Sequence, residues 1–175
     1  MNLRKTLQRF LVPSSVITVI YLIKYRCKVS PRAEVELSPF LKIGRNTEIG
    51  SFSKIKATEG YLNIGHDVSI ANGCFISAES GGVEIGDYCM IAPNVSIIGN
   101  SYKYDRLDVP TCFQDKPSKG IKIGENVWLG AGVVVIDGAE IGAGAIISAN
   151  SVISGRIPPN TVAQGNPAKV IFKRR

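Results

Sequence analysis

Residues 123–155, IGENVWLGAGVVVIDGAEIGAGAIISANSVISG, carry an aliphatic side chain at every sixth position. The same spacing is found upstream, so that fifteen six-residue repeats run along the chain. Their aliphatic residues are Ile43, Ile49, Ile55, Ile64, Ile70, Ile76, Ile85, Ile91, Ile97, Ile123, Leu129, Val135, Ile141, Ile147 and Ile153. A fixed short period indicates a solenoid in which each repeat buries its aliphatic side chain against its neighbours.

The spacing departs from six residues at three places. Extra residues follow Ile55, Ile76 and Ile97, and they number three, three and twenty. Each departure comes after a third repeat, so three repeats form one coil and every insert leaves from the same edge. Parallel strands stacked ~4.8 Å apart in about five coils form a prism ~24 Å long. We therefore predict an all-β parallel β-helix with a loop that projects after the third coil.

Two further repeat positions have a physical explanation. The third residue after the aliphatic one is Gly, Asn or Asp in ten of the fifteen repeats, as expected where a tight corner requires a positive φ. These residues are Asn46, Asp67, Gly73, Asn94, Asn100, Asn126, Gly132, Gly138, Gly144 and Asn150. The fourth residue is mostly small, so Cys74 and Cys89 are expected to be buried apolar residues and not reactive thiols.

Composition and charge divide the chain into two parts. With 175 residues, of which 45% are hydrophobic and 20% charged, the chain suits one domain of ordinary core size. Before residue 33 there are seven basic residues and no acidic one, whereas the rest contains 14 of each. The four cysteines form no CxxC pair and there is one histidine, so we expect no metal site. We expect no nucleic-acid partner.

The basic N-terminal segment, residues 1–32, is predicted to be helical. Leu3, Leu7, Phe10 and Leu11 fall on one helical face among basic residues, which makes contact of residues 1–12 with an anionic membrane one of two open alternatives. The other is that the segment closes the N-terminal end of the prism, which we favour for residues 16–23. This apolar run of eight residues is also well short of the ~20 needed to span a bilayer. The β-helix is expected over 33–157, with its loop at 103–122, and a cap over 158–175. Such a chain suits the cytoplasm, including the inner face of the cell membrane.

The segment IGENVWLGAGVVVIDGAEIGAGAIISANSVISGRIPPNTVAQGNPAKVI, residues 123–171, resembles the hexapeptide-repeat acyltransferases. This family contains maltose, galactoside and xenobiotic acetyltransferases and bacterial polysaccharide O-acetyltransferases, and the resemblance extends over residues 43–171. It implies that the β-helix is left-handed, that three chains form a homotrimer, and that active sites lie between subunits. It also implies acetyl-CoA as the donor.

The resemblance assigns residues to the donor site. Gly130, Ala131 and Ala149 match positions whose backbone lines the pantetheine arm, where close approach requires small side chains. Lys169 matches a basic residue near the nucleotide phosphates, and Pro167 matches a residue near the adenine. The alternative is that this C-terminal segment only caps the open end of the β-helix.

The insert IIGNSYKYDRLDVPTCFQDKPSKGIKIG, residues 97–124, contains no histidine. In the family this loop supplies a histidine that takes the proton from the acceptor hydroxyl, and the resemblance places that position at Tyr102. Because the ordinary pKa of tyrosine is near 10, only ~0.1% is phenolate at pH 7, a disadvantage of ~4 kcal/mol in base population.

Three hypotheses follow from the missing histidine. In the first, the protein is an active acyltransferase that uses Tyr102, a neighbouring Asp105 or Asp108, or chiefly positioning and oxyanion stabilisation. In the second, it is a catalytically silent relative that binds or regulates a partner. In the third, His66 is the base, although its position in IGHDVSI favours a solvated corner residue. Three histidine ligands would be needed for a γ-type carbonic anhydrase, and the chain has one histidine.

We favour the active enzyme because the donor-site sequence is intact. The resemblance implies an O-acetyltransferase that modifies a sugar hydroxyl in surface polysaccharide biosynthesis, with a free or lipid-linked saccharide as acceptor. Asn72 and Glu79, on the coil next to the loop, are the candidate acceptor contacts.

Overall fold

The computed structural model describes residues 13–57 and 59–175, which form one helix and a three-sided prism of short parallel strands. Helix α1 (Ser14–Tyr25) precedes the strands. The first three coils consist of β1 (Lys28–Val29), β2 (Glu34–Val35) and β3 (Leu41–Ile43); β4 (Glu48–Ile49), β5 (Lys54–Lys56) and β6 (Leu62–Ile64); β7 (Ser69–Ile70), β8 (Phe75–Ser77) and β9 (Val83–Ile85).

The chain continues in the same way through three more coils. They consist of β10 (Met90–Ile91), β11 (Ser96–Ile98) and β12 (Ile121–Ile123); β13 (Trp128–Leu129), β14 (Val134–Ile136) and β15 (Glu140–Ile141); β16 (Ile146–Ile147), β17 (Val152–Ile153) and β18 (Arg156–Ile157). A 3₁₀ turn at Thr111–Phe113 lies between β11 and β12, and the chain ends with β19 (Thr161–Gly165) and β20 (Ala168–Lys173).

Each side of the prism is one sheet. Face A contains the first strand of every coil together with β19 and β20, face B the second strands, and face C the third strands. All neighbours within a face are parallel except β19 and β20, which form an antiparallel hairpin. The coils wind as a left-handed β-helix, which confirms the predicted fold class.

The structure contains six complete coils, and the prediction of about five coils was therefore low by one. The β-helix begins at Lys28 and not at residue 33, because Val29 already pairs with Ile49. Sequence periodicity missed this coil because Val35 and Ile43 are eight residues apart, which hides the repeat. Ile121 and Lys122, assigned by sequence to the loop, belong to β12, so the insert covers residues 99–120.

The predicted interior is correct in detail. All fifteen aliphatic repeat residues are buried. The small residues at the fourth position, Ser53, Cys74, Cys89, Ala139, Ala145 and Ser151, are buried with them. Burial raises the pKa of the Cys74 and Cys89 thiols, which agrees with their interpretation as inert core residues.

The corners between faces set the backbone conformation. We name them by the faces they join: the A–B corner follows a face-A strand, the B–C corner a face-B strand, and the C–A corner a face-C strand. Of the ten Gly, Asn and Asp residues predicted to have a positive φ, nine have one, and Asn100 does not because the long insert begins there. Phe52 and Tyr88 occupy equivalent corner positions with φ of 63° and 58°.

Helix α1 lies over the N-terminal end of the prism, where it packs on β1 and β2. Tyr21 is its buried residue, and the Tyr21 hydroxyl donates to the Glu36 carbonyl oxygen at 3.2 Å. The helix ends at Tyr25, since Arg26 has a left-handed backbone conformation and the Cys27 amide donates to the Tyr21 carbonyl oxygen.

The amphipathic face predicted for residues 3–11 lies outside the described residues. In the described part of the chain, no helix has both the length and the apolar character needed to cross a bilayer.

Phe52 provides a stability test of the corner geometry. A bulky L-residue in the left-handed region costs ~1–2 kcal/mol, whereas asparagine tolerates it. Because the Phe52 side chain is 71% exposed, Phe52→Asn should raise the free energy of unfolding by about 1 kcal/mol in urea titrations. The matched control is Phe40→Asn, another exposed corner phenylalanine whose φ is not positive, and it should bring no gain. Equal effects of the two substitutions would contradict the strain argument.

Candidate active site

The long insert packs on two shorter inserts at the B–C corner. We call residues 59–61, 78–82 and 99–120 the insert stack. A Cβ atom on Gly60 would overlap the Glu79 carbonyl oxygen, and one on Gly120, whose φ is 87°, would overlap the Gly81 carbonyl oxygen. The three segments therefore touch through their backbones, which gives the insert a rigid base.

Both ends of the long insert are tied to this base. The Gly99 amide donates to the Ser77 carbonyl oxygen at 3.0 Å. On the returning side, the Ser118 hydroxyl donates to the Gly99 carbonyl oxygen at 2.6 Å and accepts from the Gly81 amide at 3.0 Å. The Asp137 carboxylate accepts the amides of Lys119 and Gly120 at 2.8 and 2.9 Å.

Sequence reasoning missed Ser118 and Asp137. Ser118 lies in a polar loop where nothing distinguishes one serine from another. Asp137 precedes Gly138 at the B–C corner of the coil that follows the insert. A carboxylate acceptor at this corner was the sequence signal that could have identified it. Both residues position the loop and contact backbone.

Backbone and side-chain hydrogen bonds, together with one ion pair, order the interior of the insert. The Lys103 amide donates to the Asp115 carbonyl oxygen at 2.8 Å, and the same two residues form an ion pair at 3.0 Å. The Gln114 amide group donates to the Arg106 and Val109 carbonyl oxygens at 2.8 and 2.9 Å. The insert thus has a defined shape without forming a strand.

Three apolar side chains of the insert face solvent. Tyr104 and Phe113 are each 79% exposed, and Leu107 is fully exposed. Their exposure in a single chain leaves the tip of the insert with a surface suited to contact another molecule.

Tyr102, the position of the family histidine, lies at the base of the insert and is partly exposed. The Lys116 ammonium lies over its ring, 4.6 Å from the centroid. Hydrogen bonding with Tyr102 raises the pKa of Lys116, and the carboxylates of Glu79 and Glu59 act in the same direction. Lys116 is therefore a fixed positive charge next to Tyr102.

The two aspartates considered as substitutes for the histidine are both exposed. Asp108 forms an ion pair with Arg106, and this hydrogen bond holds the pKa of Asp108 below its ordinary value. A carboxylate with a lowered pKa is a weaker base, so Asp108 is a poor candidate.

Glu79 has the most unusual environment in the insert stack. The Asn100 side-chain amide donates to Glu79 Oε1 at 3.2 Å. Burial, followed by hydrogen bonding and repulsion from Glu59, raises the pKa of Glu79 to about 7, while Lys116 and Lys56 act in the opposite direction. Glu79 is thus a carboxylate that changes charge near neutral pH.

The residues assigned to the donor site lie along the A–B corner. The Gly130 amide donates to the Ile147 carbonyl oxygen at 2.8 Å, and the Asn150 amide donates to that of Ala131 at 2.9 Å. A Cβ atom on Gly130 would lie 2.6 Å from the Ala149 amide nitrogen. Ala131 and Ala149 are exposed, so the corner presents backbone that side chains do not cover.

The C-terminal hairpin extends the same A–B corner. The Ser148 amide donates to the Ala163 carbonyl oxygen at 2.9 Å, and the Gly165 amide donates to Ser151 Oγ at 3.1 Å. Pro167 lies in the hairpin turn and Lys169 lies on β20, and both are exposed. The five residues of the proposed donor site therefore share one edge of the prism, at its C-terminal end.

Asn72 lies on the same A–B corner, nearer the N-terminal end. Its Oδ1 accepts the Ser51 amide at 2.9 Å. Glu79 lies at the B–C corner of the same coil. In one chain these two corners are separated by the width of face B, ~20 Å at most for six residues. One chain therefore keeps Tyr102 and Glu79 apart from the donor residues and from Asn72.

His66 lies at the C–A corner, away from the insert stack. Its Nδ1 is 2.7 Å from Asp67 Oδ2, its Nε2 is 3.0 Å from Asp87 Oδ2, and its ring meets the Tyr88 ring edge-on at 4.9 Å. Because both ring nitrogens contact carboxylates at another corner, His66 is poorly placed to act as the base in the loop.

Within residues 13–57 and 59–175, no three His, Cys, Asp or Glu side chains are grouped so as to hold a metal ion.

Comparison with known proteins agrees with this architecture. Residues 120–155 match the family model described as bacterial transferase hexapeptide (six repeats). The chain is 33% identical over 135 residues to "Probable acetyltransferase Rv3034c" of Mycobacterium tuberculosis, covering 77% of this chain and 45% of the relative. It is 34% identical over 128 residues to "Putative lipopolysaccharide biosynthesis O-acetyl transferase WbbJ" of Escherichia coli, covering 73% and 58%.

Solved structures show the same fold. A maltose O-acetyltransferase from Clostridium difficile superposes with a TM-score of 0.60 at 29% identity, covering 85% of this chain and 67% of that one. The N-acyltransferase AntD from Bacillus cereus superposes with a TM-score of 0.78 at 18% identity, covering 95% and 90%.

The resemblance recognised in the sequence is confirmed: residues 120–155 match the hexapeptide transferase model, and the relatives are named acetyltransferases. The chain spans about half the length of the Mycobacterium tuberculosis and Escherichia coli relatives.

The role of Asp137 can be tested by amide exchange. Asp137→Ala removes the acceptor of the Lys119 and Gly120 amides, and loss of a partly buried acceptor costs ~1–3 kcal/mol. We expect hydrogen exchange at these two amides to accelerate at least ~10-fold. Asp115→Ala is the control, because its exposed ion pair with Lys103 contributes little and exchange at residues 119 and 120 should not change. Unchanged exchange in Asp137→Ala would mean that the insert is anchored elsewhere.

Proposed function

We propose that this protein is an acyl-CoA-dependent O-acetyltransferase that modifies a sugar hydroxyl. The observation that carries the proposal is the small-residue edge at the A–B corner, where Gly130 packs on the Ala149 backbone and Ala131 and Ala149 are exposed, with the exposed Lys169 at its C-terminal end. A narrow pantetheine arm needs backbone free of large side chains, and a nucleotide phosphate needs a cation at the far end. Solved relatives of this fold hold coenzyme A or an acyl-CoA.

We also propose that the active unit is a homotrimer. The donor edge and the insert lie on opposite corners of face B, so a complete site requires the insert of one chain to reach the A–B corner of another. The exposed Tyr104, Leu107 and Phe113 side chains would be covered by such a contact. Asn72 and Glu79 would then approach the acceptor from two different subunits.

The proposed acceptor class rests on relatives. WbbJ is named for lipopolysaccharide biosynthesis, and PerB from Caulobacter crescentus was solved with coenzyme A and GDP-perosamine. A saccharide of a surface polysaccharide, free or lipid-linked, is therefore the acceptor we propose. AntD is described as an N-acyltransferase, so a sugar amine is the competing acceptor and belongs in the same assay.

A peripheral position on the inner face of the cell membrane, through residues 1–12, is part of the proposal. These residues carry three basic and no acidic side chains. In the adjoining helix α1, Val16, Val19 and Ile23 are exposed and lie on one face. Apolar residues flanked by basic ones suit an anionic lipid surface, where a lipid-linked saccharide would be found.

The alternative function is a silent family member that binds a partner. It is favoured by one observation, the tyrosine at the position of the family histidine. The exposed Lys169 argues against it, because coil stacking accounts for the small corner residues but gives a protein that binds no acyl-CoA no need for a lysine at the end of that edge.

Donor binding is the first test. Calorimetry should detect one acetyl-CoA per chain, and sedimentation should give a trimer at micromolar concentration. Lys169→Ala should weaken binding about 10-fold at low salt, because an exposed charge-assisted phosphate contact contributes roughly 1–1.5 kcal/mol. Lys122→Ala is the matched control, since this exposed lysine lies on face C and should leave the affinity unchanged. A stable monomer, or no measurable binding, would contradict the proposed enzyme.

Turnover separates the enzyme from the silent relative. Thiol release from acetyl-CoA is measured with nucleotide sugars, amino sugars and membrane-extracted glycolipids as acceptors. We expect the wild type to transfer acetyl to a hydroxyl, and Tyr102→His to raise the rate near pH 7, because an imidazole of pKa ~6.5 is mostly unprotonated there. If the wild type is inactive with every acceptor and Tyr102→His creates activity, the silent alternative is correct.

A further inference from the structure

The transfer requires a group that accepts the hydroxyl proton, and the insert stack offers carboxylates for this role. Among the described residues of the stack there are five: Glu59, Glu79, Asp105, Asp108 and Asp115. Four are exposed, and two of these, Asp108 and Asp115, are held by Arg106 and Lys103. Glu79 alone is half-buried, and it lies in the middle segment of the stack.

Glu79 is held in place by contacts on three sides. Its side chain receives the Asn100 amide at 3.2 Å, which fixes one carboxylate oxygen at the start of the long insert. Its carbonyl oxygen accepts the Gly82 amide at 2.7 Å, which closes the short insert into a turn. From the coil on the other side, Gly60 packs directly on its backbone. A fixed position is what proton transfer demands of a base.

Asn100, whose side-chain amide donates to Glu79, lies two residues before Tyr102 in the insert. The Lys116 ammonium contacts the Tyr102 ring, and it lies close enough to Glu79 for the charges to affect each other. Tyr102, Lys116 and Glu79 therefore form one cluster at the base of the insert.

We propose that Glu79 is the general base of the acyl transfer and takes over the role of the histidine replaced by Tyr102. This inference rests on the function proposed above. The Glu79 carboxylate accepts the proton of the acceptor hydroxyl while the hydroxyl oxygen attacks the thioester carbonyl carbon. The C–O bond forms, the C–S bond then breaks, and the proton passes from the Glu79 carboxyl to the leaving thiolate, which restores the carboxylate.

The electrostatic surroundings suit this role. A carboxylate with its ordinary pKa near 4.3 is a weak base at neutral pH. Burial and the facing Glu59 raise the pKa of Glu79 to about 7, against the opposing charges of Lys116 in the insert and Lys56 on β5. A base with a pKa close to the working pH combines a deprotonated population with a strong tendency to accept a proton.

The pH dependence of kcat/KM provides the test. In the wild type, kcat/KM should rise with pH and level off above about 7, as the Glu79 carboxyl loses its proton. Glu79→Gln should lower kcat at least ~100-fold and abolish this rise, while acetyl-CoA binding stays within about twofold of the wild type. Glu84→Gln, an exposed residue on β9 of the same coil, is the control and should leave the profile unchanged.

Two neighbouring substitutions should shift the profile in opposite directions. Glu59→Gln removes the repulsion that raises the pKa of Glu79, so the rise should move to lower pH. Lys116→Met removes a charge that lowers it, so the rise should move to higher pH. A glutamate with a merely structural role would give neither shift.

Several outcomes would overturn the proposal, and the first of them leaves the proposed function standing. Acetyl-CoA hydrolysis, in which water replaces the acceptor, gives a second readout that needs no sugar. If Glu79→Gln keeps the wild-type pH profile in both reactions, or if Tyr102→Phe abolishes the rise instead, Glu79 is not the base. If the wild type binds acetyl-CoA but neither transfers nor hydrolyses it, the protein has no working base and the proposal fails. Absence of acetyl-CoA binding in every variant would instead remove the proposed function.

Discussion

The close stacking of successive coils constrains everything else in this molecule. Each corner lies ~4.8 Å from the corner of the next coil, so a Cβ added to a corner glycine such as Gly44, Gly86 or Gly130 would overlap the backbone of that coil. The same spacing places every aliphatic repeat residue in the interior, where all fifteen are buried. A longer segment can leave the stack only at a corner, and in this chain it does so at the B–C corner alone.

This constraint also separates the two halves of the proposed site. At Gly130, Ala131 and Ala149 the A–B corner combines six-residue spacing with small residues, so this part of it forms an edge along which an extended ligand can lie. The B–C corner carries the inserts and with them the polar side chains. Because one face lies between the two corners, chemistry that needs both must use the edges of two chains. For the proposed transferase, the coil geometry therefore calls for more than one chain, and we propose the apolar tip of the insert as the contact surface.

The periodic part of the fold could be read from the sequence, and the inserts could not. Ile43 to Ile153 repeat so regularly that interior, corners and insert edge all follow from spacing. The first coil was missed because Val35 and Ile43 are eight residues apart. At the site, Tyr102 and the donor residues were assigned only by resemblance. The environment of Glu79 depends on Glu59, 20 residues before it, and on Asn100, 21 residues after it. No local pattern in the sequence reveals that these three residues meet.

The position of Glu79 offers a physical reason why a hexapeptide-repeat transferase can lack the loop histidine. An imidazole needs no help to have a pKa near neutrality, so it can function on an exposed loop. A carboxylate needs desolvation and a like charge to reach the same range, and an exposed loop supplies neither. The insert stack supplies both, because backbone packing at Gly60 and Gly120 brings three segments together and places Glu59 against Glu79. Moving the base from the loop to the stack exchanges a residue with the right intrinsic pKa for one whose pKa the fold itself adjusts.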